Sequence, residues 1–112
     1  DIRGAVEKIA EGERPGDLIL APGMKPVVEH YYSGDRPVES IYAPFLDREG
    51  ISEKLERMTE GRRRLWLVYS RPWDNDAAGD ILSLIQSGAD RREEYHMPGV
   101  RLILFTLDTP SR

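Results

Sequence analysis

Arg64-Leu65-Trp66-Leu67-Val68-Tyr69-Ser70 is the segment on which the fold turns. Its interior, Leu65 to Tyr69, is apolar or aromatic throughout and offers no polar face to water. That pattern predicts a strand covered on both sides, near the middle of a sheet. Asp17-Leu18-Ile19-Leu20-Ala21 has the same character, and Pro15-Gly16 and Pro22-Gly23 punctuate it as a second short buried strand. Two such runs, separated by helix-patterned sequence, are expected to lie side by side with helices on both faces of the sheet.

Working outward, Ile2, Ala5, Val6, Ile9 and Ala10 follow helical spacing, and Glu11-Gly12 then Pro15-Gly16 stop that helix. Over residues 25–33, Val27, Val28, Tyr31 and Tyr32 fall on one helical face, with Gly34 expected to end the helix in the left-handed conformation. A strand is expected over residues 37–42. Ile51, Leu55 and Met58 repeat at helical spacing between Gly50 and Gly61, with charges on the opposite face. Asn75 or Asp76 is placed to cap a further helix whose apolar face is Ile81, Leu82, Leu84 and Ile85 and whose exit is Gly88. Residues 91–96 are charged and suit an edge strand. Met97-Pro98-Gly99 turns the chain into the apolar residues 100–107, which suit an interior strand antiparallel to the first. The fold expected is α/β: a three-layer Rossmann-like sandwich on a mostly parallel sheet of about five strands, with an antiparallel C-terminal strand pair.

A chain of 112 residues, 39% hydrophobic and 32% charged, fits one soluble domain spanning residues 1–112 that buries roughly two-thirds of its unfolded surface. Apolar stretches such as Leu102-Ile103-Leu104-Phe105 are far shorter than the ~20 residues a membrane-crossing helix needs. Asp1 opens directly into an amphipathic stretch without a signal pattern, so the domain is expected to be excised from a larger protein. The absence of cysteine excludes disulfides, thiolate zinc sites and cysteine nucleophiles. A net charge of -4 argues against a nucleic-acid partner. His30 and His96 are the only histidines and are not paired at ligand spacing, so no metal is expected. Gly23 alone does not make a dinucleotide fingerprint, no Walker pattern follows Lys25, and Ser70 is not flanked by glycines as a nucleophile elbow requires. No cofactor and no catalytic residue is expected within these residues.

In parallel sheets, ligands bind where loops leave the carboxyl ends of strands. Pro22-Gly23-Met24-Lys25-Pro26 follows the first buried strand, and Arg71-Pro72-Trp73-Asp74-Asn75-Asp76 follows the second. Gly23, Lys25, Arg71, Trp73 and Asp74 are therefore the candidate ligand-binding residues: an indole covers a pyranose face, a carboxylate accepts hydroxyl hydrogens and a guanidinium grips an anion. The plainer reading of the second loop is a helix entry, with Asp74 favoured by the helix dipole and Trp73 packed on the sheet. Tyr31 and Tyr32 are candidate interface residues, or part of the core. Arg62-Arg63-Arg64 suits either contact with anionic lipid headgroups or a solvated turn.

Asp1-Ile2-Arg3-Gly4 opening a helix, Pro15-Gly16-Asp17-Leu18-Ile19-Leu20, Tyr31-Tyr32, Arg64-Leu65-Trp66-Leu67-Val68 with Trp73-Asp74, and Met97-Pro98-Gly99-Val100 form one series along nearly the whole chain. It resembles the C-terminal extracytoplasmic domain of bacterial polytopic membrane glycosyltransferases of the dolichyl-phosphate-mannose mannosyltransferase type. The resemblance implies a parent glycosyltransferase with many transmembrane helices that moves a sugar from a polyprenyl-phosphate donor to an acceptor outside the cytoplasm. Its catalytic acids would lie in the membrane portion, which would be this domain's partner, and the domain would serve acceptor recognition or stabilise that portion. An independent module binding a sugar, phosphate or nucleotide is the alternative.

Overall fold

The computed structural model describes residues 2–41, 46–70 and 77–108. In chain order they form α1 (Ile2–Gly12), β1 (Leu18–Leu20), α2 (Lys25–Tyr31), β2 (Val38–Glu39), α3 (Arg48–Thr59), β3 (Arg64–Ser70), α4 (Ala77–Ser87), β4 (Ala89–Met97) and β5 (Val100–Leu107). The sheet has five strands in the order β2-β1-β3-β5-β4. β1 pairs in parallel with both β2 and β3, and Leu18, Ile19 and Leu20 stand opposite Leu65, Trp66 and Leu67. The two buried runs are thus neighbours.

The sheet is mixed, and the expectation of a mostly parallel one is overturned. β5 runs antiparallel beside β3 from Arg64↔Thr106 to Ser70↔Val100, and β4 runs antiparallel beside β5. These two ladders are longer than both parallel ones. The cause is the tight connection between β4 and β5: a two-residue turn admits only antiparallel neighbours, and the returning β5 is the more apolar strand, so it takes the buried place against β3. Gly99 completes that turn at φ 74° behind Pro98, the combination a type II turn favours. β4, carrying Arg91, Arg92, Glu93 and Glu94, is left at the edge, where charged side chains discourage further strand pairing.

Alternation along the strands sorts the core into two clusters. Ile19, Trp66, Val68, Leu102 and Leu104 face Ala5, Val6 and Ile9 of α1 and Val28 of α2. Leu18, Leu20, Leu65, Leu67, Ile103 and Phe105 face Ile51 and Leu55 of α3 and Ile81 and Ile85 of α4. α3 begins on Asp47, whose carboxylate accepts the Gly50 N–H at 2.8 Å, a cap the sequence pattern around Gly50 did not suggest.

α2 departs from the expected outline. It ends at Tyr31, and Tyr32 is already extended at φ -100°, so only Val28 of the four residues assigned to one face is buried within the helix. Gly34 is not in the left-handed region. A Cβ there would collide with the Tyr32 hydroxyl and ring, so close approach to Tyr32, which a side chain would force to shift, distinguishes this position from a helix-ending glycine. Gly12 packs tightly on Trp66, its missing Cβ 3.1 Å from the indole, so a side chain there would require the ring to give slightly.

The end of the sheet where β1 and β3 begin is closed by one buried acid. Asp17 is 2% exposed. Its carboxylate accepts Arg64 Nε at 3.0 Å and Arg64 Nη2 at 2.8 Å, the Trp66 indole N–H at 2.9 Å and the Arg14 backbone N–H at 2.9 Å. Arg64 Nη2 also donates to the Gly12 carbonyl at 2.7 Å, and Arg62 donates to the Gly16 carbonyl at 3.2 Å. Burial alone would raise the Asp17 carboxyl, but the bonds from Arg64, Trp66 and Arg14 outweigh it and hold the group below its ordinary value. Asp17 therefore stabilises the fold fully above its unfolded-state pKa and loses that contribution as pH falls through the lower folded value.

Asp17→Asn is expected to destabilise the chain by about 3 kcal/mol or more, because it strands the Arg64 side chain, only 12% exposed, without a carboxylate. Arg48→Ala, which breaks the exposed Arg48–Asp80 pair, should cost less than about 1 kcal/mol. Urea denaturation of both variants measures the difference; equal losses would contradict the role given to Asp17.

Candidate functional site

The candidate crevice is set by two adjacent parallel strand ends. Leu20 closes β1 opposite Leu67, while β3 runs on to Ser70, so the segments leaving the two strands start at the same edge of the sheet. After β1 the chain turns at once: the Met24 N–H donates to the Ala21 carbonyl at 2.9 Å, and Gly23 takes φ 72°, a conformation side chains disfavour. The Gly23 N–H donates to the Ser40 hydroxyl at 3.0 Å and the Ala21 N–H to the Glu39 carbonyl at 2.8 Å, which pins this turn to the exit of β2. Lys25 opens α2 directly behind it, half-buried, with Pro26 suited to the first turn. Gly23 and Lys25 therefore lie together at the exit of β1. Arg71, Trp73 and Asp74, with the expected caps Asn75 and Asp76, lie outside the described residues, and the strand expected over residues 37–42 is shorter than that, spanning only Val38–Glu39.

Tyr31 and Tyr32 point to different surroundings. Tyr31 is 42% exposed beside the 45% exposed Val27, with the Arg3 guanidinium 5.5 Å from its ring centre and the His30 ring edge-on at 4.8 Å. Tyr32 turns inward against the α1 side of the core, donates its hydroxyl to the Glu13 carboxylate and accepts the Arg36 N–H at 2.9 Å. Burial and the bond to Glu13 push the Tyr32 phenol up.

A second polar group lines the same edge on the α4 side of the sheet. Arg101 of β5 stands opposite both Tyr69 of β3 and His96 of β4. Its guanidinium lies 5.6 Å from the Tyr69 ring centre and donates from Nε to Glu94 Oε2 at 2.5 Å. Arg92 donates to Glu94 Oε1 at 2.6 Å, and His96 Nε2 lies 3.4 Å from Oε2. The bond from Arg101 holds the Glu94 carboxyl down to about 2 against the opposing effect of burial, with Arg92 adding to it. Glu94 is thus a permanent carboxylate at any physiological pH. It orients Arg101 and Arg92, and so low a pKa makes it a poor match for acid–base work near neutral pH.

Among the described residues no group of three or more His, Asp or Glu is placed to hold a metal ion. No family model and no curated protein matches the chain. A groove of about 740 Å³ opens at the opposite edge between α3 and α4, lined in part by Leu55, Leu84, Ile85 and Leu107. Neither Gly23 nor Lys25 borders it.

The Tyr69, Glu94, His96 and Arg101 group escaped the sequence reading, although its signal was present. Met97-Pro98-Gly99 fixes the hairpin register, and counting back from it sets His96 against Arg101, with Glu94 on the same side of β4. What the pattern lacked was the place of β5 beside β3, which brings Tyr69 to them.

Because Glu94 titrates at about 2 in the fold against an ordinary 4.5, its contribution to stability is complete above about pH 4.5 and fades as pH falls toward 2. Glu94→Gln should flatten the decline in unfolding free energy across that window. A decline as steep as in the unaltered chain, measured by urea denaturation at stepped pH, would contradict the ion cluster's role.

Proposed function

We propose that this chain is a noncatalytic extracytoplasmic accessory domain of a membrane glycosyltransferase that uses a polyprenyl-phosphate sugar. Its partner is the membrane portion of the same polypeptide, and it aids acceptor recognition or stabilises that portion. One observation carries most weight: Asp17, Arg64, Trp66 and Tyr32 of the motif series are tied into bonds within the fold. Asp17, Arg64 and Trp66 bond among themselves at the amino edge of the sheet, and Tyr32 bonds Glu13 behind them. Their chemistry is consumed in holding the fold, as a domain whose reaction takes place elsewhere would use it. Helices α1 and α2 on one face of the sheet and α3 and α4 on the other support the finer description as a Rossmann-like three-layer sandwich.

These 112 residues contain no cysteine, so one introduced at the exposed Ser33 is unique within the domain and is read as the labelling gained over the unaltered parent. In cells producing the parent protein, Ser33→Cys should react with a membrane-impermeant maleimide from outside and stay with the membrane after an alkaline wash. Labelling only after lysis, or sugar transfer by the isolated 112-residue chain, would contradict the proposal.

A second reading, a module that binds a sugar, phosphate or nucleotide, draws support from the adjacency of the β1 and β3 exits, the place where open α/β sheets hold ligands. It expects saturable stabilisation in a thermal-shift screen of such ligands that Trp73→Ala and Asp74→Ala abolish. Stabilisation that survives both changes would rule this crevice out.

A further inference from the structure

At the amino edge, away from the crevice, the fold gathers arginines that neither reading uses. Arg64 on β3, Thr106 on β5 and Arg91 on β4 stand in one row, each directly opposite the next. In antiparallel ladders directly opposed residues project to the same face, so two guanidiniums flank a hydroxyl across three strands. Arg14 reaches the same place from the turn before β1, Arg63 from the residue before β3 and Arg92 from the edge strand. Together they line a concavity of about 260 Å³.

The charges in this concavity are unbalanced. Its lining holds one acid, Glu93, which accepts the Tyr95 hydroxyl at 2.7 Å, and five arginines, of which Arg92 stands opposite Phe105 and is turned to Glu94 on the other face of the sheet. Arg64 is committed to Asp17 and Arg92 to Glu94. Among the described residues Arg14, Arg63 and Arg91 make no ion pair, in a chain whose net charge is -4. Bonding to Asp17 and to the Gly12 carbonyl fixes Arg64 in place, so part of the surface is organised before anything binds. Discouraging strand pairing at the sheet edge accounts for charge on β4. It does not account for Arg14 and Arg63, which come from other segments and converge on the same hollow.

We propose that this concavity is a binding site for a phosphate group, held by Arg14, Arg63 and Arg91 with Thr106 as an additional hydrogen-bonding partner and Arg64 as a fixed wall. Guanidinium forks match phosphate oxygens in pairs, and convergence of several on a hollow surface suits a compact dianion or a phosphodiester better than a carboxylate. The phosphate is either that of a soluble phosphate compound or that of a lipid headgroup. The site stands on its own geometry and does not depend on the transferase reading.

The test uses the 112-residue chain with inorganic phosphate and pyrophosphate, against sodium chloride at matched ionic strength. A saturable rise in Tm is expected with either phosphate and not with chloride. Arg63→Gln combined with Arg91→Gln should leave the Tm in chloride unchanged, both side chains belonging to exposed residues, and weaken phosphate binding at least about tenfold. Arg57→Gln, an exposed arginine on α3, should leave binding unaltered. A rise reproduced by chloride, or one undiminished in the double variant, would overturn the site. Flotation with phosphatidylcholine vesicles, with and without phosphatidylglycerol, separates the sources. Binding to the anionic vesicles that phosphate displaces assigns a headgroup, and phosphate binding without flotation assigns a soluble compound. Failure of both phosphate and anionic vesicles to bind would also overturn it.

Discussion

A carboxylate taken out of water must find its compensation inside the protein, and Asp17 is taken almost completely out of water. Its compensation comes from two other segments, the turn at Arg14 and the start of β3 at Arg64 and Trp66, so the acid can be buried only if both are in place. The same bonds therefore specify how β1 lies against β3. A slip of one residue would exchange Leu18 and Leu20 with Ile19 across the sheet and withdraw Arg64 from the acid at once. Burying a charge is a poor way to gain stability compared with an apolar pair of the same shape, but here it penalises wrong registers severely.

From that lock the rest of the architecture follows outward. Glu13, Tyr32 and Arg36 form a second tie beside it, joining the exit of α2 to the turn before β1. With β1 and β3 aligned, β5 extends the sheet along the full length of β3, and β4 closes the edge with charge. The two edges of the sheet then differ in kind. At the carboxyl edge the turns leave the strands, with Gly23 and Lys25 on one side and the Tyr69, Arg101 and Glu94 group on the other. The amino edge carries the Asp17 lock and, beside it, arginines that outnumber the acid among them.

How far the sequence was legible depended on whether a feature is local. The span of β3 could be read because Leu65, Trp66, Leu67 and Val68 are all buried, leaving no alternation to confuse with a helix. The β4–β5 hairpin was equally plain from Pro98-Gly99 between a charged and an apolar run. Strand order is not local: nothing in residues 100–107 announces that they lie beside β3, and for that reason the sheet was expected to be more parallel than it is. Tyr31 and Tyr32 read as one face only while α2 was taken to continue past Tyr31. Asp17 looked like a strand-opening residue, because its partner is remote in sequence and meets it only when the register is known. The candidate ligand residues split along the same line: Gly23 and Lys25 sit where the strand ends place them, while Arg71, Trp73 and Asp74 lie outside the described residues.

The most direct measurement of the central claim is a double-mutant cycle on Asp17 and Arg64, using Asp17→Asn, Arg64→Gln and the pair, with unfolding free energies from urea denaturation. If the buried carboxylate and its guanidinium hold the register of β1 against β3, the coupling energy should reach about 2 kcal/mol or more, with the double variant little worse than the poorer single one. A coupling close to zero, with the two losses simply adding, would contradict the account.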